Sequence, residues 1–369
     1  MSPLAGKTSD ADFVFRSSDN GLLTYIGTRL RSRLVRRLTP GDYGRFVGMS
    51  LDQIVHALSE SAYVQEAKSL AMQYSGDRLI REMVKTKVAS ETAGLRSMCK
   101  VSATASNWVR AYSWKYDLRR LRFALRARRV GGDVPEGFLS PLANLSHEVY
   151  EKLATLKGAD KEDPAYKALM DTPFAETMKK ILSDAPPSPD EAEVALLHDF
   201  YCGTVSKLLE ASPRNDPVVG LLNHEVDYIN LLSLLSGKLS GESHEQLLAQ
   251  LIPSKMWQRE DKVRELIETK DMAALSAALR KFSKAGVFGA LPEKGKVTSS
   301  DIERAALKAL LREALKAMRS GVPTPASIIG YFACIEIEAF NLWAYVSAFA
   351  ADVPKETVET MLVHEGKVS

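Results

Sequence analysis

The chain has 369 residues, 45% of them hydrophobic and 26% charged, a composition typical of soluble globular proteins that excludes fibrous and low-complexity classes. Its length predicts two or three domains with enough surface to bury a substantial core. The formal net charge is only +3, so an electrostatic function must come from local patches rather than from the field of the whole molecule.

The first 20 residues form a polar lead that lacks the basic start and apolar core of a signal peptide, and we expect them to be poorly ordered. From residue 21 onward, glycines and prolines fall between segments of helical length. Alternating strand patterns with hairpin turns are missing from the sequence. The sequence therefore predicts an all-α fold.

Helix starts and ends carry local signals. A serine followed three residues later by Glu or Gln can satisfy two backbone N–H groups of a first helical turn. Such boxes occur at Ser50–Gln53, Ser188–Glu191 and Ser300–Glu303. Gly131 and Gly241 predict two helix ends, because glycine turns the chain at low steric cost.

One polar motif recurs three times along the chain. Each copy has an acid, then Arg or Asn three residues later, then Leu, and a turn residue fourteen residues after the acid. The acids are 110 and 111 residues apart, which is a domain-sized period. The copies are Asp117, Arg120, Leu121 and Gly131; Asp227, Asn230, Leu231 and Gly241; and Glu338, Asn341, Leu342 and Asp352.

An upstream helix start recurs in register with this motif. The N-cap candidates Asp77, Ser188 and Ser300 precede the three acids by 40, 39 and 38 residues. We interpret the repeat as three related helical lobes, with additional helices in residues 21–72 built into the first. The predicted division is a polar lead 1–20, a first lobe 21–172, a second lobe 173–286 and a third lobe 287–369.

The motif itself has two interpretations. At 100° per residue, the acid and the Arg or Asn flank the same edge of their helix's apolar stripe. They can satisfy the helix edge where it meets the next element, or they can contact a partner. Recurrence in every lobe favours the structural interpretation, because a single active site would need only one copy.

The segment most like a membrane span is 326–351. Glu336 and Glu338 lie at its centre, where each would cost roughly 2–3 kcal/mol in hydrocarbon. We therefore expect a buried helix at this position.

Two arginine-rich helices form a candidate polar contact surface. Such faces can hold the phosphates of nucleic acid or of anionic lipid, or an acidic protein partner, although most are simply the solvated side of a helix. The six candidate residues are Arg29, Arg33 and Arg36 in one helix and Arg119, Arg122 and Arg126 in the other.

Signals for catalysis are weak. The three cysteines and six histidines are scattered, so the sequence predicts no metal site. The loop Gly289–Val297 has five residues between its glycines where a phosphate-binding loop needs four. Asp190, Glu191 and Glu193 stand at a helix start, where the helix dipole explains them better than catalysis does. We expect no catalytic residue and no cofactor.

The sequence resembles the C subunit of the archaeal and bacterial A/V-type rotary ATPases, whose eukaryotic counterpart is the d subunit of the V-ATPase. The resemblance covers about residues 21–363. It rests on the threefold motif and on two further segments. These are the opening Tyr25–Arg31 with Leu38–Tyr43 and Ser50–Ile54, and the closing Pro325–Leu342.

The resemblance implies a non-catalytic protein whose three helical lobes form a pseudo-threefold funnel. It also implies a peripheral location on the cytoplasmic face of the membrane, on the proteolipid c-ring, with the D and F proteins of the central stalk seated in the funnel. Torque transmission for ion transport, no cofactor and no nucleic acid follow from the same resemblance. Trp343 and Ala350–Ala351 stand where members of the family often have basic residues. Any contact that those basic residues make in the family is therefore not carried over to this chain.

Two other classes of function stay open. A stand-alone helical scaffold could bind nucleic acid or anionic membrane through the arginine-rich helices, and its binding would be strongly salt-dependent. An enzyme with an unrecognised site rests on nothing more than the carboxylates near residue 190.

Overall fold

A computed structural model describes residues 19–134, 137, 139–156, 160–183, 185–212, 216–254, 257, 259–282, 286–321 and 323–364. Within these ranges the regular elements are all helical and no strand occurs, which confirms the predicted all-α fold. Residues 1–18, which make up most of the predicted polar lead, lie outside the described part of the chain.

Helices are numbered in chain order. A π-helical segment, Asp199–Val205, connects α10 to α11. The helices of the first part of the chain are α1 (Asn20–Leu34), α2 (Pro40–Phe46), α3 (Leu51–Ser59), α4 (Val64–Leu70), α5 (Gly76–Cys99), α6 (Ala103–Val130), α7 (His147–Thr155), α8 (Pro164–Met170), α9 (Ala175–Ile181), α10 (Pro189–His198) and α11 (Ser206–Glu210). Those of the second part are α12 (Pro217–Ser240), α13 (His244–Gln250), α14 (Glu260–Ile267), α15 (Met272–Phe282), α16 (Ser299–Arg319), α17 (Ala326–Ala350) and α18 (Lys355–Met361).

Two of the three predicted capping boxes are present. Ser50 caps α3 with Gln53, and Ser188 caps α10 with Glu191. The predicted box at Ser300 is wrong, because Thr298 caps α16 and exchanges hydrogen bonds with Asp301. Two overlapping boxes compete at this position, and the helix uses the earlier one.

The predicted N-cap at Asp77 is also wrong. Helix α5 begins at Gly76, so Asp77 lies in its first turn, where its charge favours the helix dipole.

The predicted helix ends are confirmed. Gly131 and Gly241 follow the last residues of α6 and α12 and have φ angles of 71° and 72°. Asp352, at the corresponding place after α17, has a φ of 51°. This left-handed conformation closes a helix end, and among residues with a side chain Asp and Asn tolerate it best.

The chain divides into two compact units, and each is continuous in space but not in sequence. The first unit contains Met1–Leu22 and Val88–Pro213, and the second contains Leu23–Lys87 and Arg214–Ser369. The predicted division into three lobes, and their funnel arrangement, stay a prediction.

In the first unit α6 is the central helix. It packs against α7, α10 and the π-helical segment, and α7 to α10 each contact their neighbour along the chain. Aromatic side chains fill the interior, and Trp114 meets Phe174 edge to face with ring centroids 6.2 Å apart. The fully buried aromatic residues of this unit are Trp108, Tyr112, Tyr116, Tyr150, Phe174 and Phe200.

In the second unit α12, α16 and α17 pack against one another. Gly330 lets α17 approach α16 closely, because a Cβ atom there would lie 2.9 Å from the carbonyl oxygen of Ala314. Beside this bundle the rings of Trp257, Phe282 and Phe288 pack together at centroid distances of 4.8 to 6.1 Å.

Among the described residues, α17 is the single helix whose length and composition could cross a membrane. Within the fold, 72% of its most apolar 18-residue window is buried. Glu336 and Glu338 are 4% and 5% exposed. The helix is therefore buried among its neighbours, as the two glutamates led us to expect.

Candidate functional site

In the second copy of the motif, Asn230 holds a backbone segment in place. Its Nδ2 donates to the carbonyl oxygen of Ile252 at 2.9 Å, and the Ile252 N–H donates back to its Oδ1 at 2.7 Å. Asn230 is fully buried on α12, and Leu231 next to it packs into the core. The side-chain amide thus pairs with the chain after α13 as a neighbouring strand would.

The third copy makes the same contact. Asn341 on α17 donates to the carbonyl oxygen of Val363 at 2.7 Å and accepts from its N–H at 2.8 Å. In both copies the partner lies 22 residues beyond the asparagine, in the segment that follows a short helix. Leu342 is buried, as Leu231 is. The repeat therefore extends to the hydrogen bonds.

The first copy differs because Arg120 stands in place of Asn. Its guanidinium donates to Ser140, contacts the His147 ring and lies over the Tyr150 ring, 4.5 Å from the centroid. An arginine has no acceptor, so it cannot receive a backbone N–H. Leu121, beside it on α6, is fully buried.

Asp117 supplies the missing acceptor in this copy. Its carboxylate, fully buried on α6, accepts the backbone N–H groups of Asn144 and Leu145, each at 2.9 Å, and the hydroxyl of Tyr150 at 2.5 Å. Burial raises the pKa of Asp117, although these hydrogen bonds act in the opposite direction. Arg96 adds hydrogen bonds to the carbonyls just upstream, so the whole segment is held from two helices.

The other two acids also accept hydrogen bonds from groups of their own unit. Asp227 accepts the indole N–H of Trp257 at 2.9 Å. Glu338 accepts the Tyr63 hydroxyl and the Leu38 N–H at 3.0 Å each. It also forms an ion pair with Arg37 at 3.1 Å.

Arg37 is a residue whose role the sequence did not reveal. Its side chain is 12% exposed, although the side chain of Arg36 next to it in the sequence is exposed. Burial lowers the pKa of Arg37, but Glu338 beside it raises the pKa further, and the net shift is upward. The guanidinium therefore stays charged inside the fold.

All three acids and their Arg or Asn partners are buried, and each copy is hydrogen-bonded within its own unit. This geometry supports the structural interpretation of the motif. A partner could reach these groups only by displacing the segments that they hold.

The six candidate contact arginines fall into two groups. Arg29, Arg36 and Arg119 are exposed, and Arg33 is half-buried. Arg122 and Arg126 instead bind one carboxylate, that of Glu193 on α10, at 2.9 and 2.8 Å.

This pairing gives Glu193 a role that the sequence had not assigned to it. Burial raises the pKa of Glu193, but hydrogen bonds and charge from Arg126 and Arg122 lower it more, so the net shift is downward. Arg122 and Arg126 therefore fasten α6 to α10, and only part of their charge faces solvent.

Within the described ranges no group of three or more His, Cys, Asp or Glu side chains could hold a metal ion. Cys99 and Cys334 are buried and Cys202 is exposed. Burial raises the pKa of the Cys99 thiol to about 12.

The chain is similar to several proteins that are named as the C subunit of an A-type ATP synthase. The protein of Archaeoglobus fulgidus is 24% identical over 248 residues, which cover 66% of this chain and 68% of the relative. That of Methanococcoides burtonii is 23% identical over 239 residues, covering 63% and 64%. That of Methanosarcina acetivorans is 25% identical over 151 residues, 41% of each chain. The last two alignments thus span less than two thirds of the relative's length.

The family described as ATP synthase (C/AC39) subunit matches residues 26–361, which is nearly the whole chain. This match covers all three copies of the motif and both arginine-rich helices except the first residues of α1. The chain belongs to the ATP synthase (C/AC39) subunit family.

Proposed function

We propose that this protein is the C subunit of an A-type ATP synthase and works as a non-catalytic socket between the D–F shaft and the membrane proteolipid c-ring. The observation that carries the proposal is the family match over residues 26–361. In this role the protein sits peripherally on the cytoplasmic face of the membrane and transmits torque for ion transport. It needs no cofactor and no nucleic acid.

A socket that transmits torque must resist deformation, and the buried motif supports this requirement. Each copy ties a long helix to a segment at least 22 residues away through hydrogen bonds that are shielded from water. Buried hydrogen bonds are costly to break, because the groups left behind find no replacement partner.

The contact surface that we propose is centred on α1 and the residues that follow it. Helix α1 contains no acidic residue, and Arg29 and Arg36 are exposed along it and just beyond it. Arg33 completes this group, and Arg119, on the first unit, is a further candidate of the same kind. A positive surface fits acidic side chains on the loops of the ring or on the shaft.

Co-purification tests the proposal directly. The isolated protein is mixed with the detergent-solubilised proteolipid ring and, separately, with the D–F shaft, at low and moderate salt. We expect stable binding to both. Binding to neither, together with salt-sensitive binding to RNA or acidic vesicles, would favour the scaffold alternative.

Charge reversal tests the proposed surface. We expect the triple variant Arg29→Glu, Arg33→Glu and Arg36→Glu to lose binding to the ring or the shaft. The matched control, Lys68→Glu, Lys100→Glu and Lys355→Glu, changes net charge equally at exposed positions and should bind normally. Equal behaviour of the two triple variants would remove these arginines from the contact.

A further inference from the structure

A groove of about 790 Å³ runs beside α16 in the second unit. It lies between this helix, the end of α18 with the residues that follow it, and the loop that contains Pro292. Small-molecule sites typically have volumes of about 300–1,000 Å³ and combine apolar walls with a few polar groups. The apolar lining residues are Ala290, Pro292, Ala305, Leu311 and Leu362. The groove is therefore large enough for a small organic molecule.

Two arginines hold the walls of this groove in place. Arg304 on α16 pairs with Asp301 at 2.6 Å and donates to the carbonyl oxygen of Thr360, in the last turn of α18, at 3.1 Å. Arg280 on α15 donates to the carbonyl oxygen of Pro292 at 2.6 Å. The groove is thus formed before any ligand arrives, as small-molecule sites usually are.

Two further positive charges lie on successive turns of α16. Lys308 and Arg312 are four residues apart, line the groove and are exposed. Among the residues that the structure describes, neither forms a hydrogen bond or an ion pair. Like charges four residues apart on a helix are neighbours and repel each other, so an anion bound between them would relieve this repulsion.

Glu359, in the last turn of α18, adds a carboxylate to the lining of the groove. It is exposed and, within the described ranges, pairs with neither Lys308 nor Arg312. A carboxylate accepts hydrogen bonds from hydroxyl and amino groups. The groove therefore offers two cations for an anionic group, an apolar surface, and an acceptor for a hydrogen-bond donor.

We propose that this groove binds a nucleoside polyphosphate, with its phosphates on Lys308 and Arg312. Ammonium and guanidinium groups form short, strong hydrogen bonds with phosphate oxygens. The flat base covers the apolar lining, and a sugar hydroxyl or a base amino group donates to Glu359. An inorganic polyphosphate would use the two cations alone, and a fatty acid would bring no donor for Glu359.

Calorimetric titration of the purified full chain with ATP tests the inference. Divalent cations are left out, so that the phosphates are free to meet the two side chains. We expect one molecule of ATP per chain. AMP, which carries fewer phosphate charges, and inorganic tripolyphosphate, which has no base, should each bind at least about tenfold more weakly.

Removing the two cations should weaken the binding of ATP. We expect a loss of affinity of at least about tenfold in Lys308→Gln with Arg312→Gln. The matched control, Lys316→Gln with Arg319→Gln, removes the same charges from the same helix at exposed positions that do not line the groove. Its affinity for ATP should be unchanged.

Two substitutions on α18 test the other side of the groove. Thr360 lines the groove and is exposed, so Thr360→Trp fills the groove without disturbing the core and should abolish binding. Glu359→Ala should reduce the preference for ATP over tripolyphosphate, because only the nucleotide loses a hydrogen bond. Circular dichroism of every variant checks that the helices are retained.

Three results would overturn the inference: no saturable binding of ATP, equal affinity for ATP and tripolyphosphate, or equal affinity in the double variant and its control. Unchanged binding in Thr360→Trp would place the nucleotide outside this groove and would also overturn it. The assay contains no other protein, so its outcome is independent of the proposed role in the rotary complex.

Discussion

A side-chain amide carries a donor and an acceptor side by side, so it can pair with the N–H and the C=O of one residue in a passing chain. Asn230 and Asn341 both use this property, each on a single residue 22 positions further along the chain. Leucine or aspartate could not replace them, since leucine has no polar group and aspartate has no donor. The recurrence of asparagine at these two positions thus has a direct chemical reason.

We expect Asn230→Ala and Asn341→Ala each to lower the free energy of unfolding by about 2–4 kcal/mol, because each leaves a buried N–H and a buried carbonyl without a partner. Urea denaturation at pH 7 measures the change. Asn223→Ala on α12 is the control, since Asn223 is half-buried and on the same helix, and it should change stability by less than about 0.5 kcal/mol. Equal losses at Asn223 and Asn230 would contradict the structural role of the amide.

Glu193 predicts a pH dependence. Its pKa in the folded protein lies below the ordinary value of 4.5, so its contribution to stability is present above about pH 4.5 and is lost as the pH falls through the lowered pKa. We expect Glu193→Gln to be less stable than the wild type by about 1 kcal/mol at pH 7, a modest value because Arg126 is exposed.

The difference between these two proteins should shrink as the pH is lowered from about 5 to about 3. Urea denaturation across this range measures it. Glu162→Gln removes a carboxylate from an exposed pair with Lys167 and should have little effect at any pH. A constant difference between wild type and Glu193→Gln would show that the carboxylate acts by packing instead.

The partners of the acids could not be read from the sequence. The motif predicts that a polar pair sits at a helix edge, but the donors come from distant positions. Glu338 binds Leu38, which lies 300 residues away, and its neighbour Arg37, and Asp227 binds Trp257, which lies 30 residues away. Sequence spacing defines one face of a helix, whereas the tertiary fold decides what meets that face.

At the scale of elements, the long helices and their ends were easier to predict than the π-helical segment and the N-cap of α16. The repeat located α6, α12 and α17 and their left-handed ends, because helix ends depend on local backbone geometry. The π-helical segment Asp199–Val205 carries no comparable local signal. The sequence offers overlapping capping boxes at Thr298 and Ser300. Only the folded helix shows that Thr298 is the N-cap.

Helix ends offer a prediction at this scale. A Cβ atom at Gly241 would meet no atom within 4 Å, so Gly241→Ala tests the backbone conformation alone. We expect it to lower the free energy of unfolding by about 1–2 kcal/mol, since its φ of 72° disfavours any residue with a side chain. Thermal and urea unfolding measure the change.

Gly44 provides the matched control for this variant. It is exposed within α2, does not have a positive φ, and also has open space where a Cβ would stand. Gly44→Ala should therefore raise stability by about 0.5–1 kcal/mol. A loss of stability in both variants would mean that space, rather than φ, limits these positions.

At the scale of the whole molecule, the second unit combines an early and a late stretch of the chain. Its residues 23–87 are separated from residues 214–369 by residues 88–213, which belong to the first unit. Helix α17 joins the two parts of the unit, through Glu338 to Arg37 and Tyr63 and through Trp343, which lies 4.6 Å below the Arg81 guanidinium. Contacts between residues this far apart close long loops, and they form late in folding when local contacts are already in place.

We therefore expect a single substitution in the buried pair of Arg37 and Glu338 to loosen residues 37–63, the early part of this unit. Glu338→Leu leaves a buried guanidinium without its counter-charge and should lower the free energy of unfolding by about 3–5 kcal/mol. The double variant Arg37→Met with Glu338→Leu should recover part of this loss, because no isolated charge then remains. Glu356→Leu, at an exposed position of α18, is the control.

Hydrogen exchange shows where the loosening occurs. The Leu38 N–H and the Tyr63 hydroxyl both lose their acceptor in Glu338→Leu, so exchange should accelerate across residues 37–63 before it does so in α12 or α16. Uniform acceleration over the whole second unit would mean that the pair stabilises the unit globally. Unchanged exchange at residues 37–63 would mean that other contacts, such as that of Tyr345 with the Phe46 carbonyl, suffice to hold the start of the unit on α17.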